Sequence, residues 1–302
     1  MKINDIILLE NIRYYSEEMI IKDINLQEKT QFIKNIYPLI DVFINDAFSV
    51  SHRSHVSITG FCRMTPSYAG LLMKKEIENI QKIMNKNGQY VFCLGGLKID
   101  DTIDIITKLL LKNNNYIFLL GGLPGNIALE ASDYNIGEIN RKNILDSKYY
   151  KYINTMKNLL KKYNKNIYYP IDVALNDHGS RKEVSINEIK SFKLKIEDIG
   201  SETIKQFKNV IKNSDVSILN GPLGVIEKNG FNIGTKSIIN ATSYSKYSLI
   251  GGGDISKELL KTSKSKHFSY VSNAGKACLY YLSENDLPGL KSLEYYYNKL
   301  NK

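Results

Sequence analysis

The chain has 302 residues, 43% hydrophobic and 24% charged, an ordinary globular composition long enough for a large core, and two domains are expected. No apolar run approaches membrane-spanning length and no signal-peptide order opens the chain, so neither a membrane partner nor export is expected. The formal charge of +10 points to anionic partners, but it is nearly all scattered lysine beside five arginines, so phosphorylated small molecules fit it as well as nucleic acid does.

In chain order, Ile6 to Leu9 reads as a short apolar strand, followed by Glu10-Asn11-Ile12-Arg13-Tyr14. A buried parallel strand needs neighbours on both sides, and nothing upstream is expected to supply one. Asp41 to Asp46 is a second strand, leading into a small polar loop that carries His52, Arg53 and His55. Pro66 is expected to open a helix running to Met84, with Met73, Ile77, Ile80 and Met84 on one face and the link between two domains as its role.

From Tyr90 the pattern becomes regular. Tyr90 to Leu94 enters Gly95-Gly96-Leu97-Lys98, and a helix follows from about Asp101 to Leu111. Tyr116 to Leu120 enters Gly121-Gly122-Leu123-Pro124-Gly125 and a further helix. Asn166 to Leu175 is expected as one strand, with Pro170 favouring an edge or the strand's start. Val216 to Leu219 enters Asn220-Gly221-Pro222-Leu223-Gly224, Ser248 to Ile250 enters Gly251-Gly252-Gly253-Asp254, and Phe268 to Val271 enters Ser272-Asn273-Ala274-Gly275. Alternating strands and helices of this kind predict a parallel sheet covered on both faces, with ligands outside the carboxyl ends of the strands. The glycine-rich loops therefore converge on one edge, where backbone amides at helix openings suit phosphate.

Several residues carry candidate chemistry. Lys98 either neutralises a transferred phosphate or is a solvated loop lysine, and Glu227 either accepts hydrogen bonds from ribose hydroxyls or is a surface carboxylate. Asp254 holds Mg²⁺, orients phosphate-binding amides or caps its helix. Arg53 suits a bidentate anion contact, since a surface role would not require arginine in so lysine-rich a chain. No serine or thiol elbow, Walker loop or paired metal-binding histidine occurs. Cys62, Cys93 and Cys278 are too far apart for a metal or disulfide framework, so a reducing, cytoplasmic setting is expected.

Taken together, these motifs resemble the phosphoglycerate kinase family along essentially the whole chain. Leu8 to Tyr14 is similar to its LLEN-[LV]-R-[FY] segment, and Asn45-Asp46-Ala47-Phe48 with Ser51-His52-Arg53-Ser54-His55 to its NDAF and HR-x-H loop. Pro66 to Met73 resembles the start of its interdomain helix. Gly95-Gly96-x-Lys98, Asn220 to Glu227 and Gly251 to Asp254 resemble its nucleotide loops, and Leu287-Pro288-Gly289 its closing segment. Asp100-Asp101 and Gly121-Gly122-Leu123 look like the archaeal branch.

The resemblance implies an α/β fold of two doubly wound, Rossmann-like parallel-sheet domains joined by a hinge helix, the first truncated at its N-terminus. Residues 1–75 would form an incomplete phosphoglycerate-binding domain, 76–88 the end of the hinge helix, 89–285 the nucleotide-binding domain, and 286–302 a segment packing back on the first domain. The implied reaction is reversible phosphoryl transfer between 1,3-bisphosphoglycerate and ADP, giving 3-phosphoglycerate and ATP, with Mg²⁺ accompanying the nucleotide. By resemblance Arg53 and His52 bind phosphoglycerate, and Lys98, Gly252 and Gly253 are catalytic. Gly95, Lys98, Gly121, Pro222, Glu227, Gly251, Gly252, Gly253, Asp254 and Ile255 hold the nucleotide, and Asp254 the metal.

The departures also matter. The family's front segment, with RxDxN, a further arginine and HLGRP, is absent from these residues, so activity is expected to need it, from a separately encoded partner segment or a start placed further upstream. The family's glycine-rich last loop reads Ser272-Asn273-Ala274-Gly275-Lys276-Ala277, and Thr102 and Ile255 replace a lysine and a threonine common in the family. The alternative is a non-catalytic nucleotide-binding relative. A nucleic-acid-binding protein has only its charge in favour.

Overall fold

The computed structural model describes residues 5–97, 99–145, 149–260, 266–284 and 286–300. It is an α/β chain in two compact units, residues 1–78 with 284–302, and residues 79–283.

In the first unit, Phe43–Asn45 (β1) and Ser67–Ala69 (β2) form a two-stranded parallel sheet, in register from Phe43 opposite Ser67. Short helices α1 (Glu17–Ile20), α2 (Ile24–Gln27), α3 (Gln31–Ile36) and α4 (Val56–Thr59) surround a core of Phe32, Ile33, Val56 and Phe61. The helix Pro288–Leu300 belongs to this unit, and its Gly289 N–H donates to the Ser51 carbonyl at 2.9 Å. A Cβ on Gly289 would stand 2.8 Å from Ser51 Oγ, so glycine is what lets the helix start there.

Two expectations fail in this unit. Ile6 to Leu9 is not a strand: it pairs with no described strand, and Ile6 and Leu8 are 97% and 95% exposed. Without a ladder partner an apolar run of four has nothing to hold it extended. The second failure is the helix start. Pro66 to Gly70 is not helical, because Ser67–Ala69 joins β1 and the helix α5 runs only over Leu71–Met84. Asp46 caps it from a distance, its Oδ1 accepting the Met73 N–H at 2.8 Å. A Cβ on Gly70 would lie 2.3 Å from that carboxyl carbon. Of the expected face, Met73 and Ile80 are buried and Ile77 and Met84 half-buried, while Glu76 and Ile83 complete the buried stripe, since helical spacing lets either neighbour share a face.

In the second unit, six parallel strands lie in the order β11 (Tyr270–Ser272), β10 (Tyr247–Gly251), β9 (Val216–Asn220), β3 (Tyr90–Leu94), β4 (Ile117–Leu120), β5 (Ile167–Tyr168). Every residue of β3 is buried, as expected for a strand covered on both faces. The helices are α6 (Ile99–Lys112), α7 (Gly122–Ala131), α8 (Glu138–Leu145), α9 (Lys151–Lys162), α10 (Ser201–Lys212), α11 (Ile233–Thr242), α12 (Gly253–Leu260) and α13 (Lys276–Glu284). Ile204, Phe207 and Ile211 of α10 pack with Val91, Leu219 and Ile250 of the sheet in one apolar cluster. The Tyr90 hydroxyl lies 2.8, 2.9 and 2.7 Å from the carbonyls of Ile83, Met84 and Lys86, at the end of α5.

The expected single strand Asn166 to Leu175 is broken. Pro170 interrupts it, lacking an N–H for any ladder, and the chain leaves β5 for a separate antiparallel sheet. That sheet has the order β7 (Ser180–Ser185), β6 (Asp172–Asp177), β8 (Lys195–Ile199). The β6–β7 hairpin turns on His178 and Gly179, with φ of 50° and 94°, the two-residue turn whose twist matches antiparallel strands.

Candidate functional site

From β3 the chain first adds β4 and β5 on one side, then returns to add β9, β10 and β11 on the other. The connections diverge between β3 and β9, which creates a crevice at the carboxyl ends of these strands. The loops after β3, β4 and β9 meet there backbone to backbone. Gly95 N–H donates to the Asn220 carbonyl at 3.0 Å, Gly96 N–H to Pro222 at 2.7 Å, and Gly122 N–H to Leu223 at 3.0 Å. Leu123 N–H returns to the Gly96 carbonyl at 3.1 Å.

Such contact requires the side chains to be missing. A Cβ on Gly95 would come within 2.2 Å of the Pro222 oxygen, and one on Gly221, at φ +82°, within 2.4 Å of the Gly95 oxygen. The loops after β10 and β11 close on the same place. A Cβ on Gly275 would sit 3.7 Å from Gly252 Cα, and Asn220 Nδ2 donates to the Gly275 carbonyl at 3.4 Å. In α12 the first turn closes with the Ser256 N–H donating to Gly252, so the amides of residues 253–255 precede the hydrogen-bonded ladder.

These loops line a cavity of about 620 Å³, within the range of small-molecule sites. Gly95, Pro222, Glu227, Gly252, Gly253 and Ile255 all line it. Glu227 is exposed at its edge, and the Ile255 side chain is buried in the apolar cluster, leaving only its backbone for a ligand. Gly121 and Gly251 lie just behind the lining, with Gly251 ending β10 and a Gly121 Cβ meeting Leu223 at 2.6 Å. Lys98 lies outside the described residues, as does the side chain of Asp254.

Three features of this wall were not anticipated. Asp198 at the end of β8 is fully buried and lines the cavity. It accepts the Gly234 N–H at 2.8 Å and Arg181 Nη1 at 2.9 Å, while the same arginine donates to the Gly230 and Ile199 carbonyls. This fastens the segment after β9 to the antiparallel sheet. Burial pushes the Asp198 carboxyl up to about 6 against the opposing pull of those hydrogen bonds. Second, Glu197 pairs with Lys228 and accepts Asn176 Nδ2 at 2.7 Å. Third, Lys276 at the start of α13 lines the cavity and is ion-paired with Asp101 in the first turn of α6. Only the departure from a glycine-rich loop marked Lys276 in the sequence, and Asp101 stood out only as part of the Asp100-Asp101 pair, with nothing to join the two.

In the first unit, Arg53 Nε donates to His52 Nε2 at 3.2 Å. Neither lines that unit's own cavity of about 370 Å³, which is bounded by Asn11, Arg13, Asn45, Asp46 and His55. Burial lowers the His55 pKa, partly offset by Glu18, whose Oε1 is 3.6 Å from Nδ1.

Comparison with known proteins agrees with this architecture. The family described as phosphoglycerate kinase matches residues 1–285. Phosphoglycerate kinase 2 of Methanosarcina acetivorans is 42% identical over 301 residues, covering 99% of this chain and 72% of the relative. The Methanothermus fervidus phosphoglycerate kinase is 41% identical over 296 residues, with 97% and 72% covered. The crystal structure of phosphoglycerate kinase from Pyrococcus horikoshii OT3 superposes with a TM-score of 0.87 at 29% identity, over 96% of this chain and 72% of that one. With the parallel sheet, the glycine-walled crevice and these likenesses in hand, the chain belongs to the phosphoglycerate kinase family.

Proposed function

We propose that the glycine-walled cavity is where this member of the phosphoglycerate kinase family holds ATP or ADP, for phosphoryl exchange with the carboxyl group of phosphoglycerate. The observation that carries this reading is the backbone packing of the loops at Gly95, Gly122 and Gly221, which brings the strand ends together with no side chains between them, beside the opening turn of α12. A triphosphate needs that surface: close approach, oriented N–H groups and the positive end of a helix. At Gly253, which opens α12, an added Cβ would have nothing within 4 Å, so space for phosphate oxygens lies beside free amides.

The transferred phosphoryl group carries little covalent chemistry for the protein to perform, so catalysis is positioning and charge neutralisation. In this reading Gly252, Gly253 and Ile255 offer amides to the phosphates, Gly95 and Pro222 shape the cleft, and Glu227 at the edge takes the ribose hydroxyls. Gly121 and Gly251 support the loops from behind. Lys98 is assigned to the transferred phosphate, and Asp254 to Mg²⁺, which when bound would neutralise phosphate charge. Arg53 and His52 are assigned to phosphoglycerate on the first unit, with residues 1–75 as the core of its domain, 76–88 as the end of the hinge helix, 89–285 as the nucleotide domain and 286–302 packing on the first. The family resemblance puts a further phosphoryl-stabilising arginine in a segment these 302 residues do not contain. Full turnover is therefore proposed to need that segment, joined or separately supplied. A cytoplasmic setting fits three buried free thiols.

The test is calorimetric titration of the full chain with ADP, followed by assay of ATP-dependent phosphorylation of 3-phosphoglycerate with and without an added front segment. Expected are ADP binding by the chain alone and turnover when the segment is present. Absence of ADP binding would overturn the site assignment, and ADP binding with no turnover under either condition would favour a non-catalytic relative.

A further inference from the structure

Lys276 occupies an unusual position. Its backbone follows Gly275, which packs against Gly252 and receives the Asn220 side chain, so the residue rises from the middle of the glycine loops. Its ammonium reaches across to the first turn of α6 and pairs with Asp101. That carboxylate is held in turn by the Tyr280 hydroxyl, donating to Oδ1 at 3.0 Å from one turn further along α13. Among the described residues two lysines line the cavity, Lys195 and Lys276. Lys195 is exposed on β8, beside Ile196, whose N–H donates to Asn140, whereas Lys276 stands at the glycine-loop end.

We propose that Lys276 is a phosphate-binding residue of the nucleotide site, and that Asp101 and Tyr280 are positioning residues that hold its side chain over the glycine loops. Three observations support this. The side chain is tethered at both ends: its Cα by a loop packed on Gly252, and its ammonium by a carboxylate fixed from α13. A lysine two-thirds shielded from solvent, at 32% exposure, has less rotamer freedom left to lose on meeting an anion than a free surface lysine has. The ammonium has three donors on a flexible stem, so it can bind a phosphate oxygen while keeping or exchanging the Asp101 contact. The cation thus bridges the wall built from α6 and the wall built from the loops after β10 and β11. A phosphate chain lying on those loops would then be charge-neutralised by this ammonium as well as by the amides.

The proposal rests on the nucleotide reading of the cavity, and its test separates the two. Binding of ADP and of adenosine to the full chain is measured by calorimetry for the wild type, Lys276→Met, Lys276→Arg and Asp101→Asn. The expected result is a loss of ten-fold or more in ADP affinity for Lys276→Met, unchanged adenosine affinity, substantial recovery in Lys276→Arg, and a smaller, salt-sensitive change for Asp101→Asn. Equal ADP affinity in the wild type and Lys276→Met overturns the proposal and leaves the nucleotide site standing. Parallel losses for ADP and adenosine overturn it in favour of a structural role. No ADP binding by the wild type overturns both readings.

Discussion

Gly95→Ala tests whether the site is built on backbone contact. The added methyl would begin 2.2 Å from the Pro222 oxygen and 2.8 Å from its carbon, where ordinary contact starts at 3.4 Å. The obstacle is main chain, not a flexible side-chain tip, so the loops after β3 and β9 must part by roughly 1 Å. Such a shift breaks the 2.7 Å bond from Gly96 N–H to Pro222 and strains the 3.0 Å bond from Gly95 N–H to Asn220. At about 1–3 kcal/mol for each buried backbone group left unpaired, the loss is about 2–5 kcal/mol. For a unit of this size that lowers the midpoint of thermal unfolding by roughly 5–15 °C. Gly253→Ala is the counterpart. Its Cβ meets nothing within 4 Å, so the melting temperature should stay within about 2 °C of wild type while ADP affinity falls, because the methyl intrudes only on the ligand's space. Differential scanning calorimetry with ADP titration reads both effects. A Gly95→Ala protein that melts like the wild type would refute the argument.

Asp198 gives a pH dependence. Its carboxyl is raised to about 6 in the folded chain, so the folded state holds a proton that the unfolded state releases near pH 4. Its contribution to stability is present below that window and is lost as pH rises through about 6. The wild type should therefore lose stability relative to Asp198→Asn between about pH 4 and 6, by at most about 3 kcal/mol. Melts across that range that show a flat or opposite difference count against the burial argument. Asp46→Ala removes the cap on the Met73 N–H and should cost about 1 kcal/mol, or a few degrees in the melt; an unchanged midpoint would show that the cap is worth little.

The second unit was legible because its chemistry is local. Tyr90 to Leu94 is a short continuous apolar run and Val216 to Leu219 is broken only by the small, buried Ser217, which is how strands buried on both faces read, and glycine follows each within two residues. The convergence of those glycines followed from topology alone. What could not be read was contact between segments distant in sequence: the Gly95 carbonyl against Gly221, Arg181 reaching Asp198, Lys276 reaching Asp101. Residues 166–175 were misread as one strand because apolar character does not say which sheet a residue joins. Pro170 held the only local hint. On α5 Met73 and Ile80 are buried as expected, but Glu76 is buried more deeply than Ile77, and burial of a carboxylate is decided by its surroundings.

The Tyr90 hydroxyl has a single proton and stands within reach of three carbonyls at the end of α5. Burial pushes its pKa up to about 12, so it remains a donor at any working pH. The helix therefore ends not in water but on a rivet driven from the central strand. Its final turn is held to the sheet through that one hydroxyl, and the strand that holds it, β3, is the one whose next residue is Gly95.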